Sequence, residues 1–153
     1  TEQHLMLVRE LMTTDLVTAP IEATMQTVAK RMLKARVGSI IIRNNGTPTG
    51  IITESDALRV GYATEKPFSA VPVRAVMSHP LVTIEPTATV RTATNRMVDE
   101  EIKKLPAISG LDLHGILTMT DIIRAHSELL KEARTIEQGR GLHDPDDWKL
   151  SEE

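Results

Sequence analysis

Two stretches of the sequence share the pattern Gly-x-x-Thr-x-x-Asp, and each lies where a β-prone run meets a helix-prone one. Their threonine and aspartate pairs are Thr53 with Asp56 and Thr118 with Asp121. A carboxylate at such a junction can accept two hydrogen bonds from the vicinal hydroxyls of a ribose. The threonine hydroxyl and the free N–H groups at the helix start can bind an anion. The pattern therefore fits a nucleotide site, and it occurs twice.

The same residues also fit a purely structural role. Each threonine would cap the following helix, and the aspartate three residues later would accept a backbone N–H in return, at the positive end of the helix dipole. The glycines that open the motifs, Gly50 and Gly115, would let the strand approach a ligand closely or bend, or would mark a strand end. The residue types alone leave both roles open.

The two motifs belong to an internal duplication. A shift of 65 residues aligns 8–59 with 73–124 without a gap, and sixteen of the 52 aligned positions are identical. An average composition would give about three identities by chance. The chain therefore contains two copies of one unit.

Each copy has the pattern of strand, helix, strand, strand and helix. Residues 16–19 and 81–84 are short β-prone runs, and apolar residues then repeat at helical spacing from Met25 and from Val90. Each copy continues with two β-prone runs around a turn, which predicts a hairpin, and a second helix follows. A unit of this size buries too little surface to fold alone. We therefore expect an α+β fold in which two βαββα repeats pack about a pseudo-two-fold axis.

The pattern divides the chain into four parts. Residues 1–59 form the first repeat with a lead-in, 60–72 a linker, 73–125 the second repeat, and 126–153 a helical extension with an acidic tail. We expect the last helix to end near Gln138, before Gly139. Trp148 in the tail is either solvated with the rest of it or docks on a neighbouring chain.

Composition excludes several classes of function. The net charge of −3 has the wrong sign for a nucleic-acid surface, and the absence of cysteine excludes disulfides and thiol chemistry. No apolar run is long enough for membrane insertion. Cysteine-free chains suit the reducing cytosol, so we expect a cytoplasmic protein.

No catalytic or metal-binding constellation emerges from the sequence. The five histidines are scattered, and neither a Gly-x-Ser-x-Gly elbow nor a phosphate-binding loop occurs. We therefore expect a protein that is not an enzyme and that requires no metal.

The ordered set of motifs resembles a tandem pair of CBS domains, the Bateman module, over about residues 8–125. The features that carry the resemblance are Met12 and Met77, the Leu-Val-Thr runs, residues 86–90, Leu105-Pro106 and both Gly-x-x-Thr-x-x-Asp motifs. The resemblance implies two symmetry-related clefts, homodimerisation, and regulatory ligands such as AMP, ADP, ATP or S-adenosylmethionine. It also implies sensing on behalf of an enzyme or transporter partner, with no cofactor required.

The resemblance also assigns roles to individual positions. The motif aspartate would hold the ribose and the threonine the phosphate, so that Asp56 with Thr53 marks one cleft and Asp121 with Thr118 the other. The adenine would lie against the backbone near Thr18 or Thr83 and against Val37 or Ile102.

Lys103 and Lys104 occupy the positions where the first repeat has Gly38 and Ser39. In the family, a basic residue near these positions often contacts a ligand phosphate. The simpler alternative is that both lysines lie in a solvated turn between helix and strand. An ammonium group would add a hydrogen bond worth about 1.5–3 kcal/mol. We therefore expect the Asp121 cleft to prefer a phosphorylated ligand and the Asp56 cleft to be weaker or empty.

A second function fits the same sequence. The chain would then be a dimerisation or scaffold module whose clefts are vestigial, and the long last helix and the Trp148 tail would be its working parts.

Overall fold

The computed structural model describes residues 5–138, so that Gly139 and the acidic tail with Trp148 lie outside the described residues. The short helix α1 (Val8–Leu11) comes first. The first repeat then comprises β1 (Thr18–Pro20), α2 (Met25–Ala35), β2 (Ser39–Asn44), β3 (Thr47–Thr53) and α3 (Glu54–Ala63). The second repeat comprises α4 (Val90–Glu100), β4 (Lys104–Ser109), β5 (Asp112–Thr118) and α5 (Met119–Gln138). This order confirms the predicted α+β fold.

The hairpins bring the start of one strand beside the end of the next. The β2–β3 turn has Asn45 at φ 50° and Gly46 at φ 82°, two left-handed residues as tight hairpin turns require. In the second repeat the antiparallel register places Lys104 opposite Thr118. Each motif threonine therefore ends a strand opposite the first residue of the partner strand, which is Ser39 in the first repeat and Lys104 in the second.

The strand predicted at 81–84 is wrong. In the first repeat β1 pairs in parallel with β2, and the amide of Ile41 donates to the carbonyl of Val17 at 3.3 Å. Pro106 occupies the position equivalent to Ile41 and has no N–H to donate. Only a single parallel bridge, between Ile84 and Ala107, remains in the second repeat.

The two hydrophobic cores exchange residues across the repeats. We call residues 6–13 and 71–78, which precede the two repeats, the lead-in segments. Val73 is fully buried in the core of the first repeat and donates its N–H to Ala23, whereas Val8 is fully buried in the core of the second and donates to Ala88. The boundaries at 59, 72 and 125 therefore remain a proposed division, because neither core is built from one repeat alone.

The motif glycines make room for the lead-in segments. A Cβ on Gly50 would lie 2.6 Å from Sδ of Met77, and a Cβ on Gly115 would lie 2.7 Å from Sδ of Met12 and 2.9 Å from the carbonyl oxygen of Thr13. These distances are shorter than any side chain tolerates without a shift. The glycines thus allow a close approach between chain segments, and the idea that they admit a ligand is corrected.

The last helix extends well beyond its counterpart. Helix α5 has 20 residues against ten in α3. Ile122 packs on the core of the second repeat, while Leu129 and Ile136 are exposed. Between residues 5 and 138, none of the helices is both long enough and apolar enough to cross a bilayer.

Gly115→Ala is expected to reduce the free energy of unfolding by about 1–3 kcal/mol, as overpacking does. Gly50→Ala should reduce it by less. The Cβ at position 115 meets a backbone carbonyl, whereas the Cβ at position 50 meets only a flexible methionine side chain. Urea unfolding of both variants checks the order, and an equal or reversed order would contradict the close-approach explanation.

Candidate functional site

A cleft of about 550 Å³ lies between the repeats. The first repeat contributes the motif at the start of α3, and the second contributes the turn between α4 and β4 together with the segment after its lead-in. The lining residues are Gly38, Ile51, Thr53, Glu54, Ser55, Asp56, Arg59, Ser78, Pro80, Leu81, Val82, Glu101, Ile102, Lys103, Lys104 and Pro106. Five of the predicted site residues meet there: Thr53, Asp56, Ile102, Lys103 and Lys104.

The carboxylate of Asp56 divides its two oxygens between structure and cleft. Oδ2 accepts hydrogen bonds from the N–H of Thr53 at 2.8 Å and from its hydroxyl at 3.1 Å, and the Asp56 N–H donates back to Oγ1 at 3.3 Å. This is the capping box. Oδ1 has only the exposed guanidinium of Arg59 at 3.6 Å among the residues described. One oxygen therefore remains able to accept a ligand hydroxyl.

Asp121 has no such free oxygen. Its Oδ2 accepts from the N–H of Thr118 at 3.0 Å, and the hydroxyl of Thr13 donates to both carboxylate oxygens, at 3.3 and 3.4 Å. Arg124 lies 4.0 Å away. The residue is only 9% exposed. The equivalent of Thr13 at the other motif is Ser78, and no hydrogen bond within residues 5–138 joins Ser78 to Asp56.

Lys104 crosses from the second repeat to the first. Its main chain pairs with Thr118, but its ammonium donates to the carbonyl of Gly38 at 2.9 Å. Lys103 and Lys104 therefore line the cleft of Asp56, and the prediction that groups them with Asp121 is corrected. Sequence proximity on the hairpin indicates the wrong aspartate, because the long side chain extends away from its own strand partner.

The environment of the Lys104 ammonium opposes its charge. Partial burial lowers the pKa of Lys104, and the carboxylates of Glu54 and Asp56 offset part of that lowering. The approach also depends on a missing side chain, because a Cβ on Gly38 would lie 2.9 Å from Nζ. A lysine held this way is a candidate for function rather than for stability.

The remaining predicted positions lie elsewhere. The carbonyl oxygens of Thr18 and Thr83 accept equivalent hydrogen bonds from Arg31 and Arg96, each at 2.5 Å. Val37 lines a separate groove on the first repeat with Leu33, Ala57 and Phe68. A role for these residues beside a bound base stays a prediction.

Glu54 is one of three charged cleft residues that the predicted site does not include, with Arg59 and Glu101. It follows the motif threonine directly, at the first position of α3. The equivalent position in the second repeat is Met119. A comparison of the two copies position by position would have found this difference, since it places a carboxylate in one motif only.

Comparison with known proteins agrees with this architecture. Residues 8–62 and 73–128 each match the family model of the CBS domain. An uncharacterized protein of Methanopyrus kandleri is 34% identical over 125 residues, which cover 80% of this chain and 64% of that protein. An uncharacterized protein of Methanocaldococcus jannaschii is 30% identical over 125 residues, which cover 74% of this chain and 30% of that protein. The chain thus spans less than two thirds of the length of these two relatives.

A solved structure shares the fold. The CBS domain pair of protein MJ0100, crystallised with 5′-methylthioadenosine and S-adenosyl-L-methionine, superimposes with a TM-score of 0.73 at 22% identity and covers 82% of this chain and 98% of that one. The two family matches, the duplicated motif and the cleft between the repeats agree: this chain is a pair of CBS domains and belongs to the CBS-domain family.

Proposed function

We propose that the protein binds an adenosine-containing ligand in the Asp56 cleft and transmits its occupancy to a partner. The observation that carries this proposal is Asp56, which lines a cavity of about 550 Å³ and whose Oδ1 accepts no hydrogen bond from the residues described and has only the exposed Arg59 as an ion-pair partner. Membership of the family and the adenosine compounds bound by the MJ0100 pair support the ligand class. AMP, ADP, ATP and S-adenosylmethionine are the candidate ligands.

The lining can serve each part of such a ligand. Oδ1 of Asp56 would accept hydrogen bonds from the ribose hydroxyls, and the apolar side chains of Val82 and Ile102 would cover the base. The ammonium groups of Lys103 and Lys104 would interact with a phosphate. The role that follows is regulatory rather than catalytic.

The difference between the two aspartates favours one cleft. A ligand at Asp121 would have to displace the hydroxyl of Thr13, which already bonds to both carboxylate oxygens. A ligand at Asp56 would displace no protein hydrogen bond from Oδ1. We therefore reverse the expectation from sequence and assign the stronger site to Asp56.

The position of the cleft between the repeats would allow ligand binding to change the arrangement of the two repeats. A ligand that contacts Asp56 on one repeat and Ile102 on the other links the two. Such a ligand shifts a conformational equilibrium only by as much as it prefers one arrangement. We predict that the regulated partner is an enzyme or a transporter. The cytoplasmic location of the protein also stays a prediction.

Self-association is a second candidate function, and a specific observation favours it. Leu33 and Leu58 on the helices of the first repeat are 81% and 76% exposed. Their equivalents in the second repeat, Val98 and Ile123, are 66% and 59% exposed. Both repeats thus present the same apolar pair to solvent, which suits burial against a second copy of this chain.

Asp56→Ala is expected to weaken AMP binding by about ten- to a hundred-fold, because the hydrogen bonds from ribose to a carboxylate are lost. Asp121→Ala is the matched control. It removes the same helix-capping carboxylate from the other motif but should change the affinity by less than about two-fold. Isothermal titration calorimetry measures both, and a larger loss in Asp121→Ala would contradict the assignment of the site.

Lys104→Met is expected to leave the free energy of unfolding at pH 7 unchanged or to raise it by up to about 1 kcal/mol, while weakening AMP binding. The folded state binds the Lys104 proton less tightly than the unfolded state, so burial opposes folding at pH values below the folded-state pKa. Any gain in stability should therefore shrink as the pH rises through that pKa. Urea unfolding between pH 7 and 10 tests this.

The control for that experiment is Lys103→Met, which removes an exposed charge from the same cleft and should leave the free energy of unfolding within about 0.5 kcal/mol of the wild-type value. If Lys104→Met lowers the free energy of unfolding by more than about 2 kcal/mol, the main role of the lysine is instead to stabilise the contact between the repeats.

Leu58→Glu and Ile123→Glu are expected to convert a dimer of this chain into monomers, since each places a charge on the apolar surface. Leu111→Glu is the matched control, because Leu111 is 71% exposed but lies in the turn between β4 and β5 and not on a helix. Light scattering after size exclusion gives the masses. A monomeric wild-type protein, or equal behaviour of the three variants, would reject self-association through these helices.

A further inference from the structure

The charged side chains that line the Asp56 cleft balance one another. Six of the lining residues have ionisable side chains, three basic and three acidic: Arg59, Lys103, Lys104, Glu54, Asp56 and Glu101. A cleft with a surplus of positive charge would concentrate a polyanion, but a balanced cleft provides no such field. The charges of the lining residues therefore limit how much negative charge a ligand of this cleft can carry.

Most of the positive charge already has a partner in the protein. The ammonium of Lys104 donates to the carbonyl of Gly38 and lies in the field of two carboxylates. The guanidinium of Arg59 pairs with Asp56 at 3.6 Å. Lys103 is exposed and forms no ion pair within the described residues. Lys103 is therefore available to a ligand, and Lys104 only in part. This amount of positive charge suits a ligand with one phosphate group better than a ligand with two or three.

Glu54 places a carboxylate in the cleft near the ammonium of Lys104. It is the first residue of α3, at the positive end of the helix dipole, and its own N–H donates to the carbonyl oxygen of Gly38 at 3.2 Å. Its Oε1 and the ammonium of Lys104 both lie close to Gly38, within 3.6 and 2.9 Å of where a Cβ would be. The carboxylate thus supplies the negative charge at the position where the helix would otherwise favour a ligand anion.

This charge is specific to one motif. The second repeat has Met119 in place of Glu54 and the first has Ser39 in place of Lys104, so the two charges occur together only in the Asp56 cleft. A carboxylate beside a lysine can determine ligand specificity. The carboxylate repels a ligand with too much negative charge, while the lysine attracts a ligand phosphate.

We propose that Glu54 makes the Asp56 cleft selective for adenosine compounds that carry no more than one phosphate group, and that it excludes nucleoside di- and triphosphates. The inference rests on the proposed function, since it takes an adenosine ligand at Asp56 as given. It adds a residue and a physical reason that decide among the candidate ligands.

The test is a titration of four compounds, 5′-methylthioadenosine, AMP, ADP and ATP, into wild-type protein and Glu54→Gln in magnesium-free buffer of low ionic strength. We expect wild-type protein to bind AMP at least ten-fold more tightly than ATP. Glu54→Gln should raise the affinity for ADP and ATP by about five- to ten-fold, which removing one like charge at an effective dielectric constant of about 20 provides. The affinity for uncharged 5′-methylthioadenosine should change by less than two-fold.

Glu100→Gln is the matched control, because it makes the same change of net charge on α4 at an exposed residue outside the cleft lining. ATP binding as tight as AMP in wild-type protein would overturn the inference and leave the proposed function intact. So would an unchanged ratio of ATP to AMP affinity in Glu54→Gln, or an equal gain in Glu100→Gln. If none of the four compounds binds, the proposed function fails and the inference fails with it.

Discussion

The close approach between each lead-in segment and the opposite repeat determines how the rest of the molecule is arranged. Sδ of Met77 lies where a side chain on Gly50 would stand, and Sδ of Met12 does the same at Gly115. Close-packed interiors tolerate little change of volume at such points. Beside these contacts the lead-in valines complete the two cores crosswise. The repeats are therefore mutually dependent, which the small size of each unit requires.

The cleft is a consequence of that interlock. Because the lead-in segments hold the repeats face to face, the motif at the start of α3 lies opposite the turn that precedes β4. Lys104 spans the gap to the carbonyl of Gly38 and is partly buried in doing so. The same geometry at the other motif places Thr13 on Asp121 and occupies both of its oxygens. A nearly symmetric fold thus produces two unequal sites.

Much of this could be predicted from the sequence, since local patterns decide it. The duplication, the helices that begin at Met25 and Val90 and the two hairpins follow from periodicity and turn chemistry. The loss of the strand at 81–84 follows from Pro106, whose missing N–H is visible in the sequence, although its consequence depends on which residue it faces across the sheet.

The details of the site could not be predicted in the same way. The sequence does not show which way a lysine side chain extends, and sequence proximity therefore groups Lys104 with the aspartate nearest on its own hairpin. The two interpretations of the motif aspartate, helix cap and ribose ligand, are also not exclusive. At Asp56 one oxygen serves the cap while the other remains available, and only coordinates distinguish the two oxygens.

Assigned ¹H–¹⁵N spectra of the full chain during a titration with AMP test the central claim most directly, because each backbone amide reports on its own surroundings. Binding in the Asp56 cleft should shift the amides of Thr53, Asp56 and Ile102 and leave those of Thr118 and Asp121 near their free positions. Shifts centred on Thr118 and Asp121, or no shifts at saturating AMP, would contradict the account.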